Sequence, residues 1–114
     1  MKPHVMLLGC LLLLVQTAAG AAAAEPLARG APSCGEWVAH REKSDTLALG
    51  NGYWLLGYLS GIAVSGGKDF LAGTDNSALN AWIDKYCQAN PLKDLVSGGN
   101  ALAAELQKNK RAAK

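Results

Sequence analysis

The sequence predicts an all-α fold, a compact four-helix domain stapled by one disulfide. Three observations predict it. Apolar residues recur at helical spacing, and no segment of useful length alternates as a strand would. An even pair of cysteines, Cys34 and Cys87, also remains once an N-terminal export signal is removed.

The signal changes every later count. Residues 1–4 carry the charge of Lys2 and the amino terminus, residues 5–15 are almost uninterruptedly apolar, and residues 16–20 turn small and polar. Ala22-Ala23-Ala24 before Glu25-Pro26 supplies the small residues of a cleavage site near Ala24. The apolar run is roughly half the ~20 residues that span a bilayer, and no basic stop-transfer flank follows, so no stable membrane insertion is expected after cleavage. Leu7-Leu8-Gly9-Cys10 matches a lipobox by its letters, which would acylate Cys10. Only Val5 and Met6 precede that box as an apolar stretch, and residues 11–15 would be left exposed, so Cys10 is expected to leave with the signal. The expected organisation is a signal peptide over 1–24, a flexible Ala/Pro/Gly-rich leader over 25–32, a helical domain over 33–108 and a basic tail over 109–114. The expected location is periplasmic or secreted.

Ser33 reads as an N-cap, and Glu36 three residues on completes a capping box. Cys34, Trp37, Val38 and Arg41 then share one face of a short first helix. Residues 42–52, with Lys43, Ser44, Asp45, Gly50 and Asn51, read as a connecting loop. The second helix is expected over 53–64 and is apolar nearly all round, which places it in the middle of a bundle. Its Gly57 and Gly61, with Ser65 after them, form a ridge where a neighbouring helix can pack closely. Such spacing can mark a membrane dimer, but residues 53–64 are too few to span. Residues 65–73 form a glycine-bounded loop.

Asp75 or Asn76 caps the third helix, whose Leu79, Trp82, Ile83, Tyr86 and Cys87 follow the i, i+3, i+4, i+7, i+8 template. Asn90 is expected to cap a fourth helix with Pro91 at its first position. Leu92, Leu95, Val96, Gly99, Leu102, Ala103 and Leu106 make its expected buried stripe. Gly98-Gly99 weakens that helix by roughly 2 kcal/mol against alanines, so close contact with the second helix, or a kink, is expected there. A Cys34–Cys87 bond would join the start of the first helix to the end of the third, leaving the fourth held only by its stripe. Two free thiols are the alternative, but a redox thiolate wants a Cys-x-x-Cys partner or a nearby cation, and neither is evident.

The chain has 11 Lys+Arg against 9 Asp+Glu, and loss of Lys2 leaves the mature domain near +1. No basic stripe with interleaved aromatics runs along it, so nucleic acid is not an expected partner. Lys108, Lys110, Arg111 and Lys114 form the only basic cluster, read as a solvated helix end that complements the C-terminal dipole. Contact with an anionic surface is the alternative. His40 lies in a charged run and reads as a surface residue. Asp69, Asp75, Asp84 and Asp94 are dispersed. Neither a nucleophile with an oriented base nor a set of metal ligands is visible, so no enzyme, metal or cofactor is expected.

Four runs carry a resemblance: Cys34 with Trp37, then Trp54-Leu55-Leu56-Gly57-Tyr58-Leu59-Ser60-Gly61, then Ala81-Trp82-Ile83-Asp84-Lys85-Tyr86-Cys87, then Asn90-Pro91-Leu92. Together they resemble a group of small exported proteobacterial proteins. That group includes the periplasmic immunity proteins (the Rap/Tai kind) that neutralise type VI secretion amidase effectors. A more distant likeness is to the acid-stress chaperones of the HdeA/HdeB kind, which are small, helical and stapled by one disulfide. The likeness covers about residues 33–106 and rests on scaffold residues.

The immunity resemblance implies a non-enzymatic domain that plugs a secreted peptidoglycan amidase with a loop. Lys68, Asp69 and Phe70 form the candidate partner-binding loop, because a phenylalanine between glycines in a polar loop can act as an anchor. The other reading of that loop folds Phe70 and Leu71 back onto the core. The chaperone resemblance implies a dimer that loosens as carboxylates protonate. Against it stand a second helix suited to permanent burial and carboxylates without clustering. An unassigned envelope binding or structural module is a third reading, and a homodimer is left open.

Overall fold

The computed structural model describes residues 27–114. They form four helices: α1 Cys34–Lys43, α2 Thr46–Gly66, α3 Asn76–Ala89 and α4 Leu95–Ala112. The expected signal peptide, its cleavage site and Cys10 lie outside the described residues.

Local polar chemistry sets each helix start. At α1 the capping box closes as expected: Glu36 N–H donates to Ser33 Oγ (3.1 Å) and Ser33 N–H donates to Glu36 Oε2 (2.8 Å). The Ser33 backbone donor also holds the Glu36 carboxyl below its usual range. Asp75 caps α3 by accepting from Ala78 N–H at 2.8 Å.

Two boundaries differ from the sequence reading. The stretch read as a loop over 42–52 is helix on both sides of a two-residue corner, Ser44-Asp45. Asp45 caps α2 by accepting from Ala48 N–H at 3.0 Å, so α2 starts at Thr46 and runs through Gly50, Asn51 and Gly52. In α4 the cap is Asp94, which accepts from Ser97 N–H at 2.9 Å, not Asn90. Asn90 serves the previous helix, donating from Nδ2 to Tyr86 O at 2.9 Å. Pro91 and Leu92 are therefore turn residues, and Leu92, expected in the buried stripe, is 98 % exposed.

Cys34 and Cys87 are joined by the disulfide, with Cα atoms 4.8 Å apart. It links the first residue of α1 to the last turn of α3. Trp37, Leu55, Leu59, Phe70, Leu79, Ile83, Leu95, Leu102 and Ala103 complete one core around it. α4 is held by more than its apolar stripe. Cys34 N–H donates to Lys93 O (2.8 Å) and Leu95 N–H to Pro32 O (3.0 Å), an isolated antiparallel bridge that ties the start of α4 to the start of α1. The leader, expected to be flexible, is fastened at Pro32 and again at Arg29, whose carbonyl accepts from Trp54 Nε1 at 2.7 Å.

The adjacent glycines of α4 are seats for aromatic rings. A Cβ on Gly99 would lie 2.8 Å from Tyr58 Cδ1 of α2, the close contact the sequence implied. A Cβ on Gly98 would lie 3.0 Å from Tyr86 Cδ1 and 3.1 Å from Ile83 Cδ1, so that glycine serves α3 instead.

Candidate partner-binding surface

α2 is a helix of 21 residues without a single charged side chain. Such a helix would normally be surrounded, yet only Leu55 and Leu59 are buried. Tyr53 and Val64 are 62 % and 82 % exposed, and Leu47 and Leu49 are open as well. The expectation that the second helix occupies the middle of the bundle is thus corrected: it lies on one side of the core. The Gly57–Gly61 ridge is corrected with it, because among the described residues a Cβ at either glycine would meet nothing within 4 Å and no helix packs there.

The expected shortness of the helix is also overturned. At its observed length α2 is long and apolar enough to cross a membrane, by length and composition alone. Its inner face, however, is engaged with the domain. Leu55 and Leu59 are fully buried, Tyr58 stacks on Trp54 with ring centroids 5.1 Å apart, and Tyr58 OH donates to Asn100 Oδ1 at 2.8 Å.

The loop after α2 was the sequence candidate for partner binding, and its three residues separate. Gly67, in the left-handed region at φ +66°, ends α2 and turns the chain. Phe70 then folds into the core, 3 % exposed, so the second of the two readings of this loop holds for Phe70. Phe70 is not an exposed anchor. Lys68 and Asp69 remain exposed. Asp69 Oδ1 accepts from Leu71 and Ala72 N–H, both at 3.1 Å, which fixes the turn that presents Phe70 inward. The basic end of α4 meets this loop: Lys110 Nζ donates to Ala72 O at 2.6 Å, and Arg111 and Lys114 help line a cleft of about 500 Å³ beside Lys68.

Two charge contacts, which the dispersed carboxylates of the sequence did not signal, brace the corner between α1, α2 and α3. Asp84 accepts from Arg41 Nε (2.9 Å), from Arg41 Nη2 (2.7 Å) and from Trp37 Nε1 (2.8 Å). Burial pushes the Asp84 carboxyl up, but the Arg41 and Trp37 hydrogen bonds and the guanidinium charge outweigh it and leave it below its usual range. The Asp84 hydrogen bonds raise Arg41 in turn. His40 Nδ1 lies 2.7 Å from Asp45 Oδ2, and that contact lowers the Asp45 carboxyl. His40 therefore positions the α2 cap and is not merely solvated. Among the described residues, no group of three or more His, Cys, Asp or Glu side chains could hold a metal ion.

No protein family, no curated protein and no solved structure matches the chain.

Proposed function

We propose that this is an exported, non-enzymatic protein-binding domain that offers the uncharged outer face of α2 to one protein partner. The observation that carries it is the exposure of Tyr53, Val64, Gly57 and Gly61 along a charge-free helix in an otherwise well-braced bundle. Contiguous apolar surface on a small domain marks an interaction site. The Cys34–Cys87 bond supports an oxidising compartment. The resemblance to immunity proteins supplies the partner class, a secreted peptidoglycan amidase. With Phe70 buried, contact falls to the α2 face, with Lys68 and Asp69 at its end.

The test titrates the oxidised domain against purified secreted peptidoglycan amidases. Binding to one of them is expected, abolished by Gly61→Arg without any fall in melting temperature, because that position is open. Binding that survives Gly61→Arg refutes the assigned face. Recovery of the mature chain in the carbonate-resistant membrane fraction refutes the protein-partner reading. The open apolar face also suits a second reading, an acid-stress chaperone, and the pH at which binding occurs separates the two.

A further inference from the structure

A cleft of about 290 Å³ opens at the corner where the end of α1, the first turns of α2 and the start of α3 meet. Arg41 and Asp45 line it from the α1–α2 corner, Gly52 and Tyr53 from α2, and Asn76 and Asn80 from α3. Its volume is near the lower end of the roughly 300–1,000 Å³ range of small-molecule sites.

The charged groups of this cleft are already engaged by the protein. Arg41 is paired with Asp84, and Asp45 accepts from Ala48 N–H and lies 2.7 Å from His40 Nδ1. The uncommitted groups at the opening are neutral. Asn76 and Asn80 are four residues apart and so share one face of α3. Neither amide makes a side-chain hydrogen bond among the described residues, nor does the Tyr53 hydroxyl. A carboxamide offers two donors and one acceptor oxygen, and Tyr53 is largely exposed beside them.

Gly52 packs directly under the Asn80 amide. A glycine inside a helix costs about 1 kcal/mol against alanine. Here its missing Cβ would lie 3.3 Å from Asn80 Nδ2 and 3.5 Å from Asn80 Oδ1, so glycine leaves the carboxamide in its present position, where a side chain would push it a few tenths of an ångström.

We propose that this cleft binds a short neutral saccharide carrying N-acetyl groups. The paired carboxamides match acetamido and vicinal hydroxyl groups, which both donate and accept. The Tyr53 ring covers the apolar face of a pyranose, and with Arg41 and Asp45 engaged elsewhere the free hydrogen-bonding groups are neutral.

The probe is triacetylchitotriose, titrated into the ¹⁵N-labelled oxidised domain. Saturable shifts are expected at residues 44–53 and 76–80, with a Kd in the millimolar range. Asn80→Ala is expected to weaken binding about tenfold or more, the loss of one or two well-placed hydrogen bonds. Tyr53→Ala is expected to do the same, and its exposed position keeps the test valid if Asn80→Ala perturbs the helix. Gly61→Arg leaves saccharide binding unchanged, so failure here is distinct from failure of the α2 partner face. Three outcomes overturn the proposal: no saturable shift at probe concentrations on the order of 10 mM, well above the expected Kd; shifts centred elsewhere; or shifts indifferent to both variants. Equal binding of the deacetylated trimer overturns the assignment to N-acetyl groups.

Discussion

The same substitution at two helical glycines is expected to have opposite signs. Glycine to alanine inside a helix gains up to about 1 kcal/mol of intrinsic propensity. At Gly57 a new Cβ meets nothing within 4 Å, so the gain is kept. At Gly99 it arrives 2.8 Å from Tyr58 Cδ1 and 3.1 Å from Cε1. The ring cannot simply swing away, because it stacks on Trp54 and its hydroxyl bonds Asn100 at 2.8 Å. Overpacking of this kind costs about 1–3 kcal/mol. After the propensity gain, Gly99→Ala is left destabilised by up to about 2 kcal/mol. In a domain of this size each kcal/mol moves Tm by about 4–8 °C. Thermal melting followed by far-ultraviolet circular dichroism should therefore show Gly57→Ala raised by about 5 °C and Gly99→Ala lowered by up to about 10 °C. A double-mutant cycle adding Tyr58→Ala should recover part of the Gly99→Ala loss, since the clash leaves with the ring. Gly99→Ala melting as high as Gly57→Ala would refute the packing of α2 on α4 described above.

Cys34→Ser with Cys87→Ser opens a loop of 53 residues and is expected to lose about 4 kcal/mol, read as a large fall in Tm that reductant reproduces in the native protein. Phe70→Ala should cost about 3–5 kcal/mol in urea unfolding because the ring is buried, whereas Asp69→Lys leaves Phe70 in place and should cost far less. The Asp84 carboxyl is held below its ordinary value, so the fold favours its ionised form. Its contribution is present above the unfolded-state value of about 4 and is lost as pH falls through the lower folded value. Asp45 and Glu36 are shifted the same way. Tm is therefore expected to fall below about pH 4, and Asp84→Asn to flatten that fall; an unchanged pH profile would contradict the assignment.

Signals carried by neighbours in the chain were legible. Ser33 and Glu36 announce the start of α1, the apolar period marks α3, and the cysteine pair fixes the staple. Gly99 was legible as a close contact because nothing local explains two adjacent glycines in a helix. What could not be read depends on partners distant in sequence. Gly50, Asn51 and Gly52 look like a loop, yet Asp45 starts the helix before them and Gly52 answers to Asn80. Asn90 could cap either neighbouring helix, and only the bridge from residues 32–34 to residues 93–95 decides it. Asp84 is one carboxylate among several until Arg41 and Trp37, 43 and 47 residues away, converge on it. The exposure of α2 is not legible in its composition, because it depends on where the neighbours lie. They pack against one side of the helix, so Leu55 and Leu59 are buried while Tyr53, Gly57 and Gly61 beside them face outward.

Where the acid-sensitive contacts lie bears on the choice between inhibitor and chaperone. An acid-triggered chaperone needs a latch that releases apolar surface when carboxylates protonate. The lowered carboxylates here, Asp84, Asp45 and Glu36, brace α1 and its corners with α2 and α3. The α1–α3 boundary is also held by the Cys34–Cys87 bond, which acid does not break. The inner face of α2 rests on Leu55, Leu59, the Gly99 seat and the Tyr58–Asn100 hydrogen bond, none of which carries a carboxylate. Its outer face is open already. Acid therefore softens one corner without uncovering α2, and the surface best suited to binding is available at neutral pH. This supports a constitutive partner over acid-gated clients. Binding through α2 should be as strong at pH 7 as near pH 4. Suppression of client aggregation that appears only in acid, and that Gly61→Arg leaves intact, would overturn the argument.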